Sequence, residues 1–348
     1  MDSSSTKSLL LTLAIGLSGA LTAAWLSLPA AALIGSSLLV SIASLYRVTV
    51  DIPAWLRNIA FTVIGCSLGS SITKEGLAHA IHWPLSLFVL GVAVMAIMFT
   101  CSWMLTRFFS QSAETAVLAT SPGALAYSLG IAAGGIGDIR SILVIQNIRL
   151  LLVTTLLPFV LDNFGFELGA ANVAVITGGS GSIVVILISL GVGVSISRWR
   201  IPASFLIVGM LLSAIGHYLG LVIGRPPSSF IFMGFAITGS MVGARFSSIP
   251  LNDLKRLLLA SFSVFVLSGL LALVFAVPVA IILNVPYGQV FVAYAPGGVE
   301  AMAAMAIALG YDPAFVATHH LFRIFLLFLF LPASLRIVRK MRGQQRVS

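Results

Sequence analysis

Charged side chains are scarce in this sequence. Lys, Arg, Asp and Glu make up 8% of its 348 residues, whereas a soluble domain usually has about 25%. Hydrophobic residues make up 59%, and the mean hydropathy is +1.11. Apolar runs of about 20 residues, enough helix to cross a ~30 Å hydrocarbon core, recur along the chain. The composition excludes an ordinary soluble domain and predicts an all-α polytopic membrane protein.

Cysteine and metal-binding motifs are also scarce. The two cysteines, Cys66 and Cys101, both lie inside apolar runs, where a small packing residue is the expected role. The sequence contains no HExxH motif, no P-loop and no Cys/His spacing typical of a metal site. We therefore expect no disulfide, metal or cofactor, and an enzyme is an improbable reading of the chain.

Acidic residues are few. Ten Asp and Glu stand against nineteen Lys and Arg, a formal net charge of +9. Five of the basic residues lie in the tail RIVRKMRGQQRVS. Such a tail is typical of a cytoplasmic anchor that obeys the positive-inside rule. No soluble DNA-binding module fits in the rest of the chain, so nucleic acid is not an expected partner.

The sequence is a duplication. When the sequence is shifted by 174 residues and compared with itself, ATSPG (119–123) falls on AYAPG (293–297), so that Pro122 meets Pro296. Further identical pairs are Asp138 and Asp312, Arg149 and Arg323, Pro158 and Pro332, Gly65 and Gly239, Gly69 and Gly243, and Gly35 and Gly209. The first apolar run resembles a signal peptide, but its counterpart after Ser182 favours a retained helix. We divide the chain into two membrane repeats, residues 1–172 and 173–348.

Each repeat contains five apolar spans and one Pro-Gly segment. The expected spans are 8–26, 29–46, 55–72, 82–106 and 139–160, then 176–197, 202–224, 229–246, 257–282 and 313–335. The Pro-Gly segments cover about 113–134 and 287–310. If each dips into the membrane and returns, ten helices cross and the repeats are inverted. If each crosses fully, twelve helices cross and the repeats are parallel.

The distribution of basic residues favours the inverted arrangement. With re-entrant segments and an inside N-terminus, fifteen Lys and Arg fall inside, and two, Lys74 and Arg225, fall outside. The connector with Asp162 and Glu167 also falls outside. With twelve full spans, ten basic residues would fall on one side of the membrane and seven on the other. The positive-inside rule therefore predicts inverted repeats and a cytoplasmic C-terminus. Inverted repeats with broken helices are typical of secondary transporters.

The Pro-Gly segments are the first candidates for a binding site. Proline lacks the backbone donor and glycine tolerates positive φ, so both interrupt a helix. The N–H groups of the helix that resumes suit an anionic group. The candidate residues are Thr120, Ser121, Pro122 and Gly123 in the first repeat and Pro296, Gly297 and Gly298 in the second. The alternative interpretation is a loop or a simple proline kink.

Arg149 and Arg323 are the second candidates, because each lies about ten residues into an apolar run. An arginine near the bilayer centre costs at least about 2.5–3.5 kcal/mol, so it usually faces a cavity or a partner. Either arginine could bind a substrate anion, or could hold the broken segment through its free carbonyls. Gln146 and His320 lie three residues earlier on the same helix faces. His320 could move protons or serve as a hydrogen-bonded packing residue.

Three carboxylates accompany these residues. Asp138 and Asp312 precede the arginine helices, and Asp312 is followed by Pro313, the pattern of a helix N-cap. Helix capping is the first interpretation of both and ion binding the second. Glu300 follows the second Pro-Gly-Gly and could carry a proton or cation, or could cap the resuming helix. The spacing of Gly65 and Gly69, repeated in the second half, is typical of close helix packing.

The motifs ATSPG…GD…QNIRLL and APGG…YDP…HHLFRIFLL, together with the early run LPAAALIG, resemble those of the AbrB family of bacterial membrane proteins. The resemblance covers essentially the whole chain as two copies of the family's duplicated domain. It implies an inner-membrane location and sometimes a role in regulating gene expression. The family is also catalogued as ammonia monooxygenase, an activity for which the sequence offers no copper or iron ligands.

Together these features predict a secondary transporter or exporter of a small, anionic organic solute, with its site between the two Pro-Gly segments. The alternative is a membrane-embedded sensor that affects gene expression through another protein. The expected partners are the solute and the lipid bilayer, and further copies of the chain as a homo-oligomer are an option. The expected location is the bacterial inner membrane, with many passes and a cytoplasmic C-terminus.

Overall fold

A computed structural model describes residues 3–70, 83–163, 180–199, 203–222 and 224–345. Its regular structure is helical, and these residues contain no strand, in agreement with the predicted all-α class. Lys74, Glu167, Arg200 and the expected boundary at residue 172 lie outside the described residues.

The helices are numbered in chain order. They are α1 (Ser3–Trp25), α2 (Ala31–Leu45), α3 (Ala54–Gly69), α4 (Trp83–Phe108), α5 (Ala113–Thr120), α6 (Leu125–Ala133), α7 (Ile139–Asn163), α8 (Ser180–Ser197), α9 (Ser204–Tyr218), α10 (Ser228–Ala244), α11 (Leu251–Leu283), α12 (Tyr287–Tyr294), α13 (Val299–Ala308) and α14 (Pro313–Gln345). A 3₁₀ turn, Arg245–Ser248, follows α10.

Six of these helices are long and apolar enough to cross a membrane. The spans are Thr6–Trp25, Trp83–Phe108, Ile139–Asp162, Ser228–Ser248, Leu251–Leu283 and Pro313–Val338. The other four expected spans correspond to α2, α3, α8 and α9, which have 15–18 residues. A rise of about 1.5 Å per residue makes these helices about 22–27 Å long. Of these, α2, α3 and α9 are shorter than the spans that hydropathy alone predicts. The start of the span expected at 176–197 lies outside the described residues.

Local backbone geometry explains two of the shorter boundaries. Ala30 and Ala203, which follow equivalent prolines, adopt left-handed conformations with φ +51° and +53°, so α2 and α9 begin only after them. The span expected at 202–224 ends at Tyr218, because Gly220 turns the chain with φ +70°.

The chain divides into two compact units. The first draws its described residues from Met1–His82, Thr154–Ser247 and Val299–Ala317, and the second from Trp83–Val153, Ser248–Gly298 and Thr318–Ser348. The units do not coincide with the two sequence repeats, because each unit takes segments from both. The second unit contains α4, α5, α6, α11, α12 and most of α7 and α14.

In the first unit, helices of the two repeats pack reciprocally. α3 packs against α9, and α10 packs against α2. A Cβ added at Gly65 would lie 2.3 Å from the carbonyl oxygen of Leu206, and one at Gly239 would lie 2.4 Å from that of Leu33. Real Cβ atoms do not approach so closely. The small-residue pattern therefore does bring backbones together, as small-xxx-small motifs do in membranes.

In the second unit, α4 contacts α5 and α11, and α11 contacts α12. Ser112 caps α5, because its Oγ accepts a hydrogen bond from the backbone N–H of Thr115 at 3.2 Å. Pro286 precedes α12 with an extended ψ of 132°, as expected for a residue that ends the preceding loop. These contacts position the interrupted segments that carry most of the candidate residues.

Candidate functional site

The first Pro-Gly segment is a helix interruption. α5 ends at Thr120, and α6 begins at Leu125. Gly123 has φ +81°, a conformation that favours glycine. Thr120, Ser121 and Pro122 are buried. The Ser121 hydroxyl donates to the carbonyl of Leu118 at 2.8 Å, so the side chain satisfies part of the broken helix.

The second segment interrupts its helix at the equivalent place. α12 ends at Tyr294, and α13 begins at Val299. Pro296 and Gly297 are buried, and Gly298 is partly buried. The N–H of Gly297 donates to the carbonyl of Ala295 at 2.8 Å, which gives a tight turn. The carbonyl oxygen of Ala295 keeps a second lone pair for another donor, and the turn does not use that of Gly297.

Arg149 and Arg323 supply those donors, each to the segment of its own repeat. Nη1 of Arg149 donates to Thr120 O at 3.1 Å, and Nη2 donates to Ser121 O at 3.3 Å. Nη1 of Arg323 donates to Ala295 O at 2.7 Å, and Nη2 donates to Gly297 O at 2.5 Å.

The two side chains are 2% and 0% exposed, so their charges are fully inside the protein. Hydrogen bonds to a charged group contribute about 1.5–3 kcal/mol each. Two such bonds per arginine therefore offset the insertion cost of about 2.5–3.5 kcal/mol. The arginines hold the broken segments in place in this conformation.

Gln146 and His320 repeat this arrangement one turn earlier. Gln146 Nε2 donates to Leu118 O at 2.7 Å, and His320 Nε2 donates to Val292 O at 2.9 Å. The donors and the acceptors are both 174 residues apart. The carbonyl is an acceptor only, so the Nε2 of His320 carries the hydrogen and its Nδ1 is an acceptor. Nη2 of Arg323 donates to that Nδ1 at 2.6 Å.

The two interruptions meet inside the second unit. A Cβ added at Gly123 would lie 3.3 Å from the carbonyl oxygen of Gly297 and 3.1 Å from Nη2 of Arg323. The first interruption therefore contacts both the second one and the arginine that holds it. Arg149 holds Ser121 O, two residues before Gly123, so both guanidinium groups border the same short turn. Neither guanidinium has a carboxylate partner within the described ranges, and the Nε atoms of both lack a hydrogen-bond partner there.

Helix α4 contributes polar contacts that the sequence did not indicate. The hydroxyls of Ser102 and Thr120 are 2.9 Å apart. Toward the other end of α4, the Tyr294 hydroxyl donates to Ser86 O at 2.6 Å. His319 Nε2 lies 2.8 Å from the Ser86 hydroxyl. Serines in apolar helices usually form hydrogen bonds with the backbone of their own helix. No signal in the sequence therefore distinguished Ser86 and Ser102 from other serines in apolar runs.

Asp138 and Asp312 act as helix caps. Asp138 accepts hydrogen bonds from the backbone N–H groups of Arg140 at 3.2 Å and Ser141 at 3.1 Å. Asp312 accepts from the N–H groups of Ala314 and Phe315 at 2.9 and 3.2 Å. Both patterns are those of an N-cap.

Burial opposes ionisation of Asp138, but other groups stabilise its charged form. The hydrogen bonds from Ser141 and Arg140, together with the positive charge of Arg256, hold the pKa of Asp138 below its usual value. The carboxylate is therefore ionised at neutral pH and can also accept the Ser141 hydroxyl at 2.6 Å.

Glu300 belongs to the first unit, whereas Arg149 and Arg323 belong to the second. It lies in the first turn of α13, within the first unit, and is partly buried. The structure thus brings together Thr120, Ser121, Gly123, Gln146, Arg149, Gly297, His320 and Arg323. It does not add Glu300 to this group.

A cavity of about 310 Å³, with both polar and apolar lining residues, lies elsewhere in the second unit. It is lined by Phe109, Ser110, Gln111, Asp138, Ser141, Arg256, Leu257 and Ala260. Arg140 and Arg256 both approach the carboxylate of Asp253, at 3.8 and 3.6 Å. Within the described part of the chain, no group of three His, Cys, Asp or Glu side chains could hold a metal ion. Cys66 and Cys101 are free and buried.

Known proteins resemble this chain over most of its length. A family model described as "Transition state regulatory protein AbrB" matches residues 33–339. "Putative regulator AbrB" of Escherichia coli (strain K12) is 26% identical over 317 residues, which cover 89% of this chain and 90% of that protein. "Uncharacterized protein YhjN" of Bacillus subtilis (strain 168) is 24% identical over 310 residues, 82% of this chain and 79% of that protein. The match to the family model includes both interruptions and both arginine helices.

Proposed function

Since the chain belongs to the AbrB family and has several membrane-type helices, we propose that it is a secondary transporter or exporter of a small organic anion. The observation that carries the proposal is the pair of fully buried arginines, which have no carboxylate partner among the described residues and lie where two broken helices meet. Two neighbouring buried cations repel each other, so an anion held beside them would lower the electrostatic energy.

Broken helices support transport over a purely structural role. Non-helical backbone at membrane depth is tolerated where protein surrounds it or where it lines a cavity. In transporters with internal repeats, such interruptions form the substrate site. Gly123 lies at a close contact with the second interruption, and Gly297 lies in a tight turn. Both interruptions are held by hydrogen bonds from an arginine and not by a continuous helix. A segment of this kind can rearrange without unfolding a whole helix.

Counterflow into liposomes tests the proposal. The purified protein would be reconstituted with a panel of radiolabelled mono-, di- and tricarboxylates and amino acids. Saturable counterflow of at least one carboxylate, absent from protein-free liposomes, is the expected result. If no member of the panel is transported and none raises the unfolding temperature, the transporter proposal is wrong.

A membrane-embedded ligand sensor is the second candidate. The cavity beside Asp138 and Arg256 favours the sensor, because its volume and its mixed polar and apolar lining suit a small ligand. Stabilisation of the protein by a solute that shows no flux in the counterflow assay would support the sensor over the transporter.

Inverted repeats in a bacterial inner membrane, with a cytoplasmic C-terminus, form part of the proposal. The basic residues favour this topology, and the reciprocal packing of α3 with α9 and of α10 with α2 is what a two-fold relation between repeats produces. Ser110 and Asn284 are 174 residues apart. Both are exposed, and both have a left-handed backbone, with φ +52° and +51°.

These two positions give a direct topology test. Single substitutions Ser110→Cys and Asn284→Cys should react with an impermeant maleimide from the cytoplasmic and periplasmic sides, respectively. The unmodified protein serves as the control, because its own cysteines are buried. Labelling of both new cysteines from the same side would contradict inverted repeats.

A further inference from the structure

The two arginines occupy equivalent positions, but they use their hydrogens differently. A guanidinium has five N–H donors in a planar fork. Arg323 uses three of them, one from Nη1 to Ala295 O and both of Nη2, to Gly297 O and to His320 Nδ1. Arg149 uses two, one from each Nη. Arg149 therefore keeps three hydrogens, one on Nε and one on each Nη.

Nε and Nη2 lie along one edge of a guanidinium, and this edge matches the two oxygens of a carboxylate. In Arg323 the edge has no free Nη2 hydrogen, since His320 and Gly297 take both. The remaining hydrogens of Arg323, on Nε and Nη1, point to opposite sides of the group. Only Arg149 keeps both donors needed for a two-point contact with an anion.

The surrounding protein reinforces the difference. A Cβ on Gly123 would lie 3.1 Å from Nη2 and 3.6 Å from Nε of Arg323, so backbone of the first interruption covers that edge. The Arg149 guanidinium is instead within electrostatic range of Cys101, a thiol on α4. A thiol is a weak hydrogen-bond acceptor, and it does not satisfy Nε, which has no partner among the described residues.

The asymmetry comes from one substitution between the repeats. His320 offers an acceptor, Nδ1, to its arginine, because its Nε2 hydrogen is directed to Val292 O. Gln146 also donates its Nε2 to a carbonyl, and its second contact, at 3.4 Å, is to the Ser121 hydroxyl and not to Arg149. The first repeat therefore leaves its arginine less occupied than the second.

We propose that Arg149 contacts the anionic group of the solute through its Nε–Nη2 edge, and that Arg323 is a positioning residue that holds the second interruption. This inference rests on the proposed transport of an organic anion and adds the ligand class: a planar carboxylate, bound at two points, is preferred over a spherical halide. The two repeats thus have unequal roles in spite of their matched sequence.

Chemical modification of the unaltered protein tests the assignment without relying on a variant that folds. Phenylglyoxal condenses with both Nη atoms of a guanidine group, and each Nη of Arg149 keeps a free hydrogen whereas Nη2 of Arg323 keeps none. Because Arg149 is 2% exposed in this conformation, the reagent can reach it only in conformations that also admit the solute. The modified residues would be identified by peptide mass spectrometry of the protein in nanodiscs. Acetate, succinate and chloride at equal ionic strength serve as the probes. We expect modification of Arg149 that acetate or succinate slows at least threefold and chloride does not, with Arg323 unmodified. The assignment would be overturned if Arg149 is not modified, or if Arg323 is modified and protected by carboxylates instead.

Matched lysine substitutions give the second measurement. Lysine keeps the charge but lacks the planar fork. Arg149→Lys should raise the KM for the transported carboxylate about tenfold, the effect of about 1.4 kcal/mol of lost binding, with a smaller change in maximal rate. Arg323→Lys should lower the unfolding temperature and the maximal rate without a comparable change in KM. Equal increases in KM for both variants would contradict the proposal.

The two experiments separate this inference from the transport proposal. If carboxylates protect Arg149 from modification but no flux is observed, the anion site is supported and the transporter proposal is contradicted. If flux is observed but carboxylates do not protect Arg149, the transporter proposal is supported and the proposed contact between Arg149 and the solute is contradicted.

Discussion

Replacing Gly123 with alanine tests whether contact between the two interruptions matters. Gly123 has φ +81°, and an L-residue in the left-handed region costs about 1–2 kcal/mol. The new Cβ would also lie 3.1 Å from Nη2 of Arg323 and 3.3 Å from Gly297 O. These atoms are joined by a short hydrogen bond and cannot easily move apart, so crowding adds about 1–3 kcal/mol.

Gly135 provides a matched control. Its φ is +85°, and an added Cβ there would meet nothing within 4 Å. Gly135→Ala therefore carries the backbone strain of about 1–2 kcal/mol without the crowding. The difference between the two variants, about 1–3 kcal/mol, measures the contact alone.

The assay is unfolding by increasing mole fraction of SDS in mixed micelles, followed by the fluorescence of the five tryptophans. Gly123→Ala should unfold at lower SDS than Gly135→Ala and should reduce counterflow more strongly. Equal unfolding and equal flux in the two variants would show that the interruptions do not depend on their contact, and the reasoning would be refuted.

Three further predictions concern helix packing, a cap and a histidine. Gly65→Ala should destabilise the protein by about 1–3 kcal/mol in the same unfolding assay, because its Cβ would meet backbone at 2.3 Å. Gly269→Ala is the control and should not destabilise the protein, because its Cβ would have open space. Equal effects of the two substitutions would contradict the packing argument. The lowered pKa of Asp138 means that its ionised form stabilises the fold above about pH 4, the unfolded value, and that this contribution is lost as pH falls through the folded pKa. The stability difference between wild type and Asp138→Asn should therefore shrink on acidification, and a constant difference would count against the cap charge. His320→Gln should retain most of the stability that His320→Ala loses, about 1–3 kcal/mol, because Gln146 makes the same carbonyl contact in the other repeat; pH-dependent flux that disappears in His320→Gln would instead point to proton transfer by this histidine.

Much of the fold followed from local chemistry. The apolar runs predicted helices of membrane type, and six of the helices among the described residues are long and apolar enough to cross a bilayer. The proline and glycine positions predicted the interruptions, since these residues limit helix geometry wherever they occur. Hydropathy overestimated the lengths of α2 and α9, because Ala30, Ala203 and Gly220 turn the backbone within apolar sequence.

The candidate site was predictable only in part. The burial cost of an intramembrane arginine indicated that Arg149 and Arg323 need partners, and the sequence left open whether these would be carbonyls or a solute. The hydrogen bonds to Thr120 O and Ala295 O show the carbonyl partners. Ser86, Ser102 and His319 were missed, because their bonds join residues distant in the sequence and resemble nothing in the local pattern.

The sequence by itself determined the membrane class, the duplication and the places where helices break, because hydropathy, a fixed offset of 174 residues and the geometry of proline and glycine are properties of the chain alone. Only the tertiary structure decided which donors remain free. Whether Nη2 of an arginine meets His320 Nδ1 or retains a hydrogen depends on helix rotation and on distances of a few tenths of an ångström. For this reason two arginines in matching sequence positions can differ in what they are able to bind.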